Sequence, residues 1–288
     1  MKPTREFKWV SALDPKQAGI LLELQEQMMR YYASSPTYYQ DVSFAEINWL
    51  GADQPLFQDA LKETAACRSM LEVGCGTASI LNADPSLESK YTGLDFSSEL
   101  LKTNAANHPR ASFRALENPC VLPYADSSFD LVLSVFVIEH IVFPNVFLNE
   151  CLRVLKKGGT LLIICPDFLG RGTMSSQRVG LSQGTGRSKI RAGKWLDACL
   201  TGLDCKVRMP LICLMHRILC RTSPRFMINC SPCCFEDSFI VDVDAVYVTY
   251  EPEIRRHTGA AVKWEEISKI CKAFCRLKQL IYMKGRRR

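Results

Sequence analysis

Leu71-Glu72-Val73-Gly74-Cys75-Gly76-Thr77-Ala78-Ser79 is the stretch on which the fold turns. An apolar run, Met70–Val73, stops at two glycines one residue apart. The run reads as a short strand, and the glycines let the backbone bend sharply and approach a ligand closely. Open α/β sheets bind ligands at the carboxyl ends of their strands, so this bend is the expected binding position. The dinucleotide fingerprint G-x-G-x-x-G is incomplete here, because Ser79 replaces its third glycine. A pyrophosphate needs that glycine so that a helix N-terminus can be tightly apposed to it, and NAD is therefore disfavoured.

Working outward, Tyr91–Leu94 is the next apolar run, and Asp95 ends it, 19 residues after Gly76. A carboxylate there can accept both ribose hydroxyls of a nucleoside. The alternative is a helix N-cap ahead of Ser97–Asn107. Phe113–Leu116, Phe129–Phe136 and Thr160–Cys165 read as further strands, with an amphipathic helix at Val146–Leu155. Lys156-Lys157-Gly158-Gly159 is a helix stop with basic residues at the carbonyl end. Strands alternating with helices predict an α/β fold, a doubly wound and mostly parallel sheet covered on both faces.

Two further stretches complete a pattern. Glu117-Asn118-Pro119-Cys120-Val121-Leu122-Pro123-Tyr124 precedes Asp126-Ser127-Ser128-Phe129-Asp130. Ser134-Val135-Phe136-Val137-Ile138-Glu139-His140-Ile141 precedes Leu152–Gly159. In this order the motifs resemble the class I S-adenosylmethionine (SAM) dependent methyltransferases, in particular the type 11 group, over Leu71–Asp167. The resemblance implies a Rossmann-like fold, SAM as cofactor and methyl transfer as the activity. It implies a cofactor set of Glu72, Gly74, Cys75, Gly76, Asp95, Phe96, Glu117, Asn118, Ser134 and Phe136. Gly74 and Gly76 would border the methionine part, Asp95 the ribose, and Phe96 the adenine face. A count back from Leu122 puts Asn118 at the family's acidic, adenine-reading place, but Pro119 would follow with no N–H to give. A one-residue shift, with Glu117 accepting from the exocyclic amine and Asn118 donating its N–H, is preferred. Ser134 and Phe136 would face the cofactor. SAM carries no phosphate, so Ser79 is tolerable.

Methyl transfer from a sulfonium needs alignment and exclusion of water more than a triad. His140 is the candidate general base, since it follows the cofactor strand and imidazole is the commonest side-chain proton acceptor in catalysis. The aromatic pair Tyr38 and Tyr39 is the candidate substrate contact. His216 lies in an apolar, helix-like segment and reads as a core histidine.

The 288 residues suit one methyltransferase domain. Its expected parts are a helical cap at 1–65, a SAM-binding core at 66–167, a variable substrate-cover region at 168–244, and the end of the sheet with a basic tail at 245–288. The cap should hold a helix at Pro15–Ser34 and another at Gln54–Ala65. Helices are expected at Ala192–Leu200, Leu211–Cys220 and Glu251–His257, with strands at Ala245–Tyr250 and Gln279–Met283, and Gly170–Lys194 reads as a loop. No apolar run is long enough to span a bilayer, and no signal sequence is legible, so a cytoplasmic location is expected. The fourteen cysteines then read as reduced thiols. The cluster Cys230, Cys233 and Cys234 has a zinc-like C-x2-C spacing but no second pair, so no metal is expected. The net charge of +6 is uneven. Eleven Lys/Arg lie between Phe168 and Phe226 against Asp197 and Asp204 alone, which favours a small, anionic acceptor. The alternatives are an RNA- or protein-modifying methyltransferase and a non-catalytic SAM-binding module. No Asn-Pro-Pro-Tyr-like motif follows the fourth strand, so nucleic acid is not favoured. Peripheral membrane contact is considered through the basic segment Lys263–Arg288.

Overall fold

A computed structural model describes residues 6–12, 15–34, 54–174, 176, 184–233 and 242–288. Tyr38, Tyr39 and Cys234 lie outside the described residues. In chain order the elements are β1 (Phe7–Trp9), α1 (Pro15–Ser34), α2 (Pro55–Ala66), β2 (Met70–Val73), α3 (Ser79–Ala83), β3 (Tyr91–Asp95), α4 (Ser98–Asn107), β4 (Ser112–Ala115) and β5 (Phe129–Val135). They continue with α5 (Pro144–Val154), β6 (Leu155–Pro166), α6 (Phe168–Arg171), α7 (Gly186–Arg191), α8 (Trp195–Leu203), α9 (Met209–Leu219), β7 (Met227–Asn229), α10 (Glu251–Thr258), β8 (Val262–Trp264), α11 (Lys269–Lys278) and β9 (Leu280–Arg287).

The chain divides into two compact units. One comprises Gln27–Ile138, Pro144–Pro166 and Thr258–Arg288. It holds a seven-stranded sheet of order β4-β3-β2-β5-β6-β9-β8. The strands from β4 to β6 are parallel, and β9 and β8 close the edge antiparallel. All four residues of β2 are buried, as are six of the seven in β5. A parallel strand covered on both faces has no reason to alternate, which is why these strands read as unbroken apolar runs. One face packs Met70, Leu131, Leu133 and Leu162 against Leu56, Phe57 and Ala60 of α2 and Cys271 and Cys275 of α11. From β2 the chain proceeds outward through β3 to β4, then returns to β5 on the other side. The topological switch point is therefore at the carboxyl ends of β2 and β5.

The basic C-terminus is part of this sheet rather than a solvated tail. Lys284 pairs with Asp59 at 2.9 Å and Glu63 at 3.0 Å, and Arg286 pairs with Glu63 and Glu265 at 3.1 Å each. Arg287 donates to the Leu155 carbonyl. Within Lys263–Arg288, Lys284 and Arg286 are thus taken up by fixed carboxylates, while Lys263, Lys269, Lys272 and Arg276 are exposed.

The other unit comprises Met1–Glu26, Glu139–Phe143 and Asp167–His257. Its core is Phe168, Leu169, Met174, Met209, Cys213, Met227, Ala245 and Val248. The strands β1 and β7 form a small antiparallel sheet, with Lys8 opposite Ile228. Ala245–Tyr250 forms no strand, only a bridge from Tyr247 to Ile228. The Val246 and Tyr247 N–H groups instead both donate to the Glu139 carbonyl at 2.8 Å. Among the described residues, no helix is long and apolar enough to cross a membrane.

Candidate active site

The bend after β2 is held from three directions. The Leu94 carbonyl of β3 accepts from the Gly74 and Cys75 N–H groups at 2.7 and 2.8 Å. Asp95 Oδ2 accepts from the Gly76 N–H at 2.9 Å, and Asp95 Oδ1 from the Ser97 N–H at 2.9 Å. Asn104 of α4, itself buried, donates to the Gly76 carbonyl at 2.8 Å. The tips of β2 and β3 are therefore joined, and the glycine bend and the carboxylate are one structure. Gly74 has φ +72°, and a Cβ there would run into the Val137 side chain just beyond β5. Only glycine lets the two sides of the switch point come this close.

Asp95 is 2% exposed. Burial pushes its carboxyl above the ordinary value, and hydrogen bonds from the Ser97 and Gly76 amides oppose that shift. Each oxygen holds one amide and retains a second lone pair, enough to accept a vicinal diol. The N-cap of α4 is the neighbouring residue, Ser97, whose Oγ accepts from the Leu100 N–H at 3.3 Å. Asp95 is thus not the cap that the sequence offered as its alternative role. Phe96, half-buried, stacks with Tyr32 of α1 at 6.1 Å between ring centroids and an interplanar angle of 20°.

The remaining expected cofactor residues separate into two kinds. Glu117 is exposed just beyond β4, where Asn118 Oδ1 accepts from the Cys120 N–H at 2.8 Å and the Asn118 carbonyl from the Val121 N–H at 3.1 Å. The short turn fixes that loop at the same end of the sheet as Gly74 and Asp95. Phe136 follows β5 with φ +55°, and its N–H donates to the Ile164 carbonyl at 2.8 Å. Ser134 is fully buried, and its Oγ has no hydrogen-bond partner among the described residues. Glu72 and Cys75 are buried within the sheet and bend. Glu72 Oε2 accepts from the Tyr91 hydroxyl at 2.6 Å, which couples β2 to β3.

Comparison with known proteins bears on this geometry. Residues 71–163 match the family described as a methyltransferase domain. This segment is a class I methyltransferase domain of the type 11 group. The chain is 32% identical over 119 residues to a probable S-adenosylmethionine-dependent methyltransferase of Mycolicibacterium smegmatis, which covers 41% of this chain and 46% of that protein. It is 38% identical over 103 residues to the demethylmenaquinone methyltransferase of Listeria welshimeri, covering 33% of this chain and 44% of that one. The chain spans less than half the length of these curated relatives. Among solved structures, the N-methyltransferase NodS of Bradyrhizobium japonicum with S-adenosyl-L-homocysteine is 12% identical with a TM-score of 0.44, covering 86% of this chain and 97% of that one.

The methyltransferase domain takes SAM as its cofactor, and the residues present fit it. The glycine bend offers backbone rather than side chains, Asp95 keeps acceptor capacity for a ribose, and no third glycine is needed where there is no phosphate. Asn104 and Tyr32 were not legible as site residues. Asn104 had one signal, a polar residue on the otherwise apolar side of an amphipathic helix.

Glu139 and His140 belong to the second unit together with Asp242, Asp244 and Arg171. His140 Nδ1 lies 3.5 Å from Asp244 Oδ2. Glu139 is fully buried, and among the described residues its two carboxylate oxygens have no hydrogen-bond partner. Burial first, then the charge of Asp242, pushes its carboxyl well up. Burial likewise pushes Asp242 up to about 6, opposed by the charge of His140. Asp242 and Asp244 had no signal in the sequence, lying about a hundred residues from His140.

A second acid–histidine cluster is a closed network. His216 is buried, as expected of a core histidine, and its Nδ1 accepts from Trp9 Nε1 at 2.9 Å. Glu253 Oε1 accepts from the Arg225 and Phe226 N–H groups at 2.7 and 2.8 Å and from the Cys220 thiol at 2.9 Å. Its Oε2 accepts from the Tyr247 hydroxyl at 3.0 Å. The described cysteines are free thiols, and of the C-x2-C pair Cys233 is buried and Cys230 half-buried.

Proposed function

We propose that this chain transfers the methyl group of SAM to a small-molecule, anionic acceptor. The observation that carries the reading is the joined bend: Gly76 is held to Asp95 at 2.9 Å at the switch point of a type 11 methyltransferase domain. Gly74, Cys75 and Gly76 border the methionine end, Asp95 accepts the ribose hydroxyls, Phe96 packs against the adenine, and Glu117 with Asn118 reads its edge. Ser134 and Phe136 line the β5 side. When bound, the cofactor supplies an electrophilic methyl on a sulfonium that leaves neutral. The protein's task is then to orient the acceptor and exclude water. His140 is the general base for acceptors that must lose a proton, with Asp244 Oδ2, 3.5 Å from its Nδ1, orienting the ring. The name of the Listeria welshimeri relative, a quinone-type methyltransferase, supports a small acceptor. The basic excess between Phe168 and Phe226 supports an anionic one.

The test is an acceptor screen with methyl-labelled SAM on fractionated extracts. Label is expected in a small, anionic product with wild type, and reduced by about tenfold or more with His140→Ala for an acceptor that must be deprotonated. Label in protein or RNA alone would refute the small-molecule acceptor. SAM binding with no labelled product from any fraction would mark a binding module.

A further inference from the structure

Residues Trp195–Leu219 run as one nearly continuous helical rod, α8 and α9 joined by a π turn at Asp204–Arg208. At about 1.5 Å per residue the rod is roughly 37 Å long. Its inner side is ordinary: Ala198, Thr201, Met209, Cys213 and His216 are buried, and Met209 and Cys213 belong to the core of their unit. Its outer side is not. Leu196, Leu203, Val207, Leu211, Leu214 and Ile218 are each more than half exposed, and Trp195 at the head of the rod is 64% exposed. The steps between them are mostly three and four residues, which sets them along one side of a helix. A contiguous apolar stripe of this length facing water marks an interaction surface.

Charge decides the occupant. From Lys194 to Arg221 there are five cations and two carboxylates. Both carboxylates are already paired, Asp197 with Lys189 at 3.2 Å and Asp204 with Arg208 at 2.7 Å. Lys194, Lys206, Arg217 and Arg221 are exposed. A second copy of this chain would bring the same cations against one another across a two-fold axis. An apolar stripe edged by cations is instead the pattern of a helix that lies in the interface of an anionic bilayer. We propose that Trp195–Leu219 is a membrane-docking face, its aliphatic side chains entering the acyl boundary while the flanking cations meet lipid phosphates. The rod lies on the membrane and does not cross it. This inference is independent of the identity of the methyl acceptor.

The full chain is floated with phosphatidylcholine vesicles made with and without phosphatidylglycerol. Wild type is expected to float with the anionic vesicles. L214D/I218D is expected to lose about tenfold or more of that partition, and K206E/R221E to lose the preference for phosphatidylglycerol. The four side chains are exposed, so circular dichroism and thermal melting should match wild type in both variants, and so should the melting shift with SAM. Wild type remaining with solvent, or L214D/I218D floating like wild type, would overturn the proposal. So would a wild-type dimer that L214D/I218D makes monomeric while neither binds vesicles, since the occupant would then be a second copy.

Discussion

Asp95 and Glu139 are both fully or nearly fully buried carboxylates, one at the end of a parallel strand and one just beyond another, yet their surroundings are opposite. Asp95 receives two backbone amides, and its neighbours Gly76 and Asn104 are tied into the same network. Among the described residues Glu139 receives no hydrogen bond on either oxygen, and it shares its region with Asp242 and Asp244. Glu253, a third buried carboxylate, resembles Asp95, with donors on both oxygens. Burial alone therefore says little about a carboxylate; the donors around it decide whether it is a finished structural part. A partnered carboxylate holds fixed geometry before any ligand arrives, whereas an unpartnered one carries a desolvation cost.

The most severe way to break the partnered side is Gly74→Val. The positive φ and the collision with Val137 together should cost about 3–5 kcal/mol, lowering the melting temperature by roughly 10 °C and abolishing the response to SAM. Glu253→Ala comes next, at about 3 kcal/mol, because it strands the Arg225 and Phe226 amides. Its pH dependence has a definite sign. Burial would raise the Glu253 carboxyl, but hydrogen bonds from His216, Cys220 and the Arg225 amide outweigh it and hold the group below its usual 4.5. The unfolded chain then binds that proton more tightly. The stabilisation is fully present above 4.5 and disappears as pH falls through the lowered value. Acid melts should show a shallower decline in Glu253→Gln than in wild type.

Asn104→Ala should cost about 1–2 kcal/mol in stability and weaken SAM about tenfold, because the Gly76 carbonyl loses the side-chain amide that holds it. The smallest effect sharpens the contrast. Glu139→Gln removes no hydrogen bond among the described residues, so at acid pH, where Glu139 is protonated, it should change stability by about 1 kcal/mol or less. Wild type should lose stability as pH rises through the raised Glu139 value, because the folded state holds that proton more tightly than the unfolded one; Glu139→Gln should not. A large loss of stability in Glu139→Gln would mean that Glu139 has partners after all, and the contrast would fail.

The partnered half was legible in the sequence because its determinants are local or regularly spaced. Met70–Val73 and Tyr91–Leu94 are continuous apolar runs because parallel strands are covered on both faces. Gly74, Gly76 and Asp95 stand at the ends of those runs. The other half was not legible for equally physical reasons. β1 and β7 are three-residue strands more than two hundred residues apart, too short to show a period. Ala245–Tyr250 has the alternation of a strand, but its amides turn to the Glu139 carbonyl and the Tyr247 hydroxyl to Glu253, so tertiary bonding overrides the pattern. The basic C-terminal residues looked like a solvated tail because their partners Asp59 and Glu63 are over two hundred positions away. The exposed stripe of α8 and α9 was hidden by the opposite error, since apolar residues at helical spacing read as core whichever side they face.

The central claim is that Asp95 and the glycine bend together form a slot for the ribose and methionine ends of SAM. Thermal melting of wild type and Asp95→Ala with SAM tests it most directly. At about a hundred times its dissociation constant SAM should stabilise wild type by about 2.7 kcal/mol, a shift of roughly 5–10 °C. Asp95→Ala, folded without ligand, is predicted to show almost none of that shift. An equal shift in both proteins would contradict the claim.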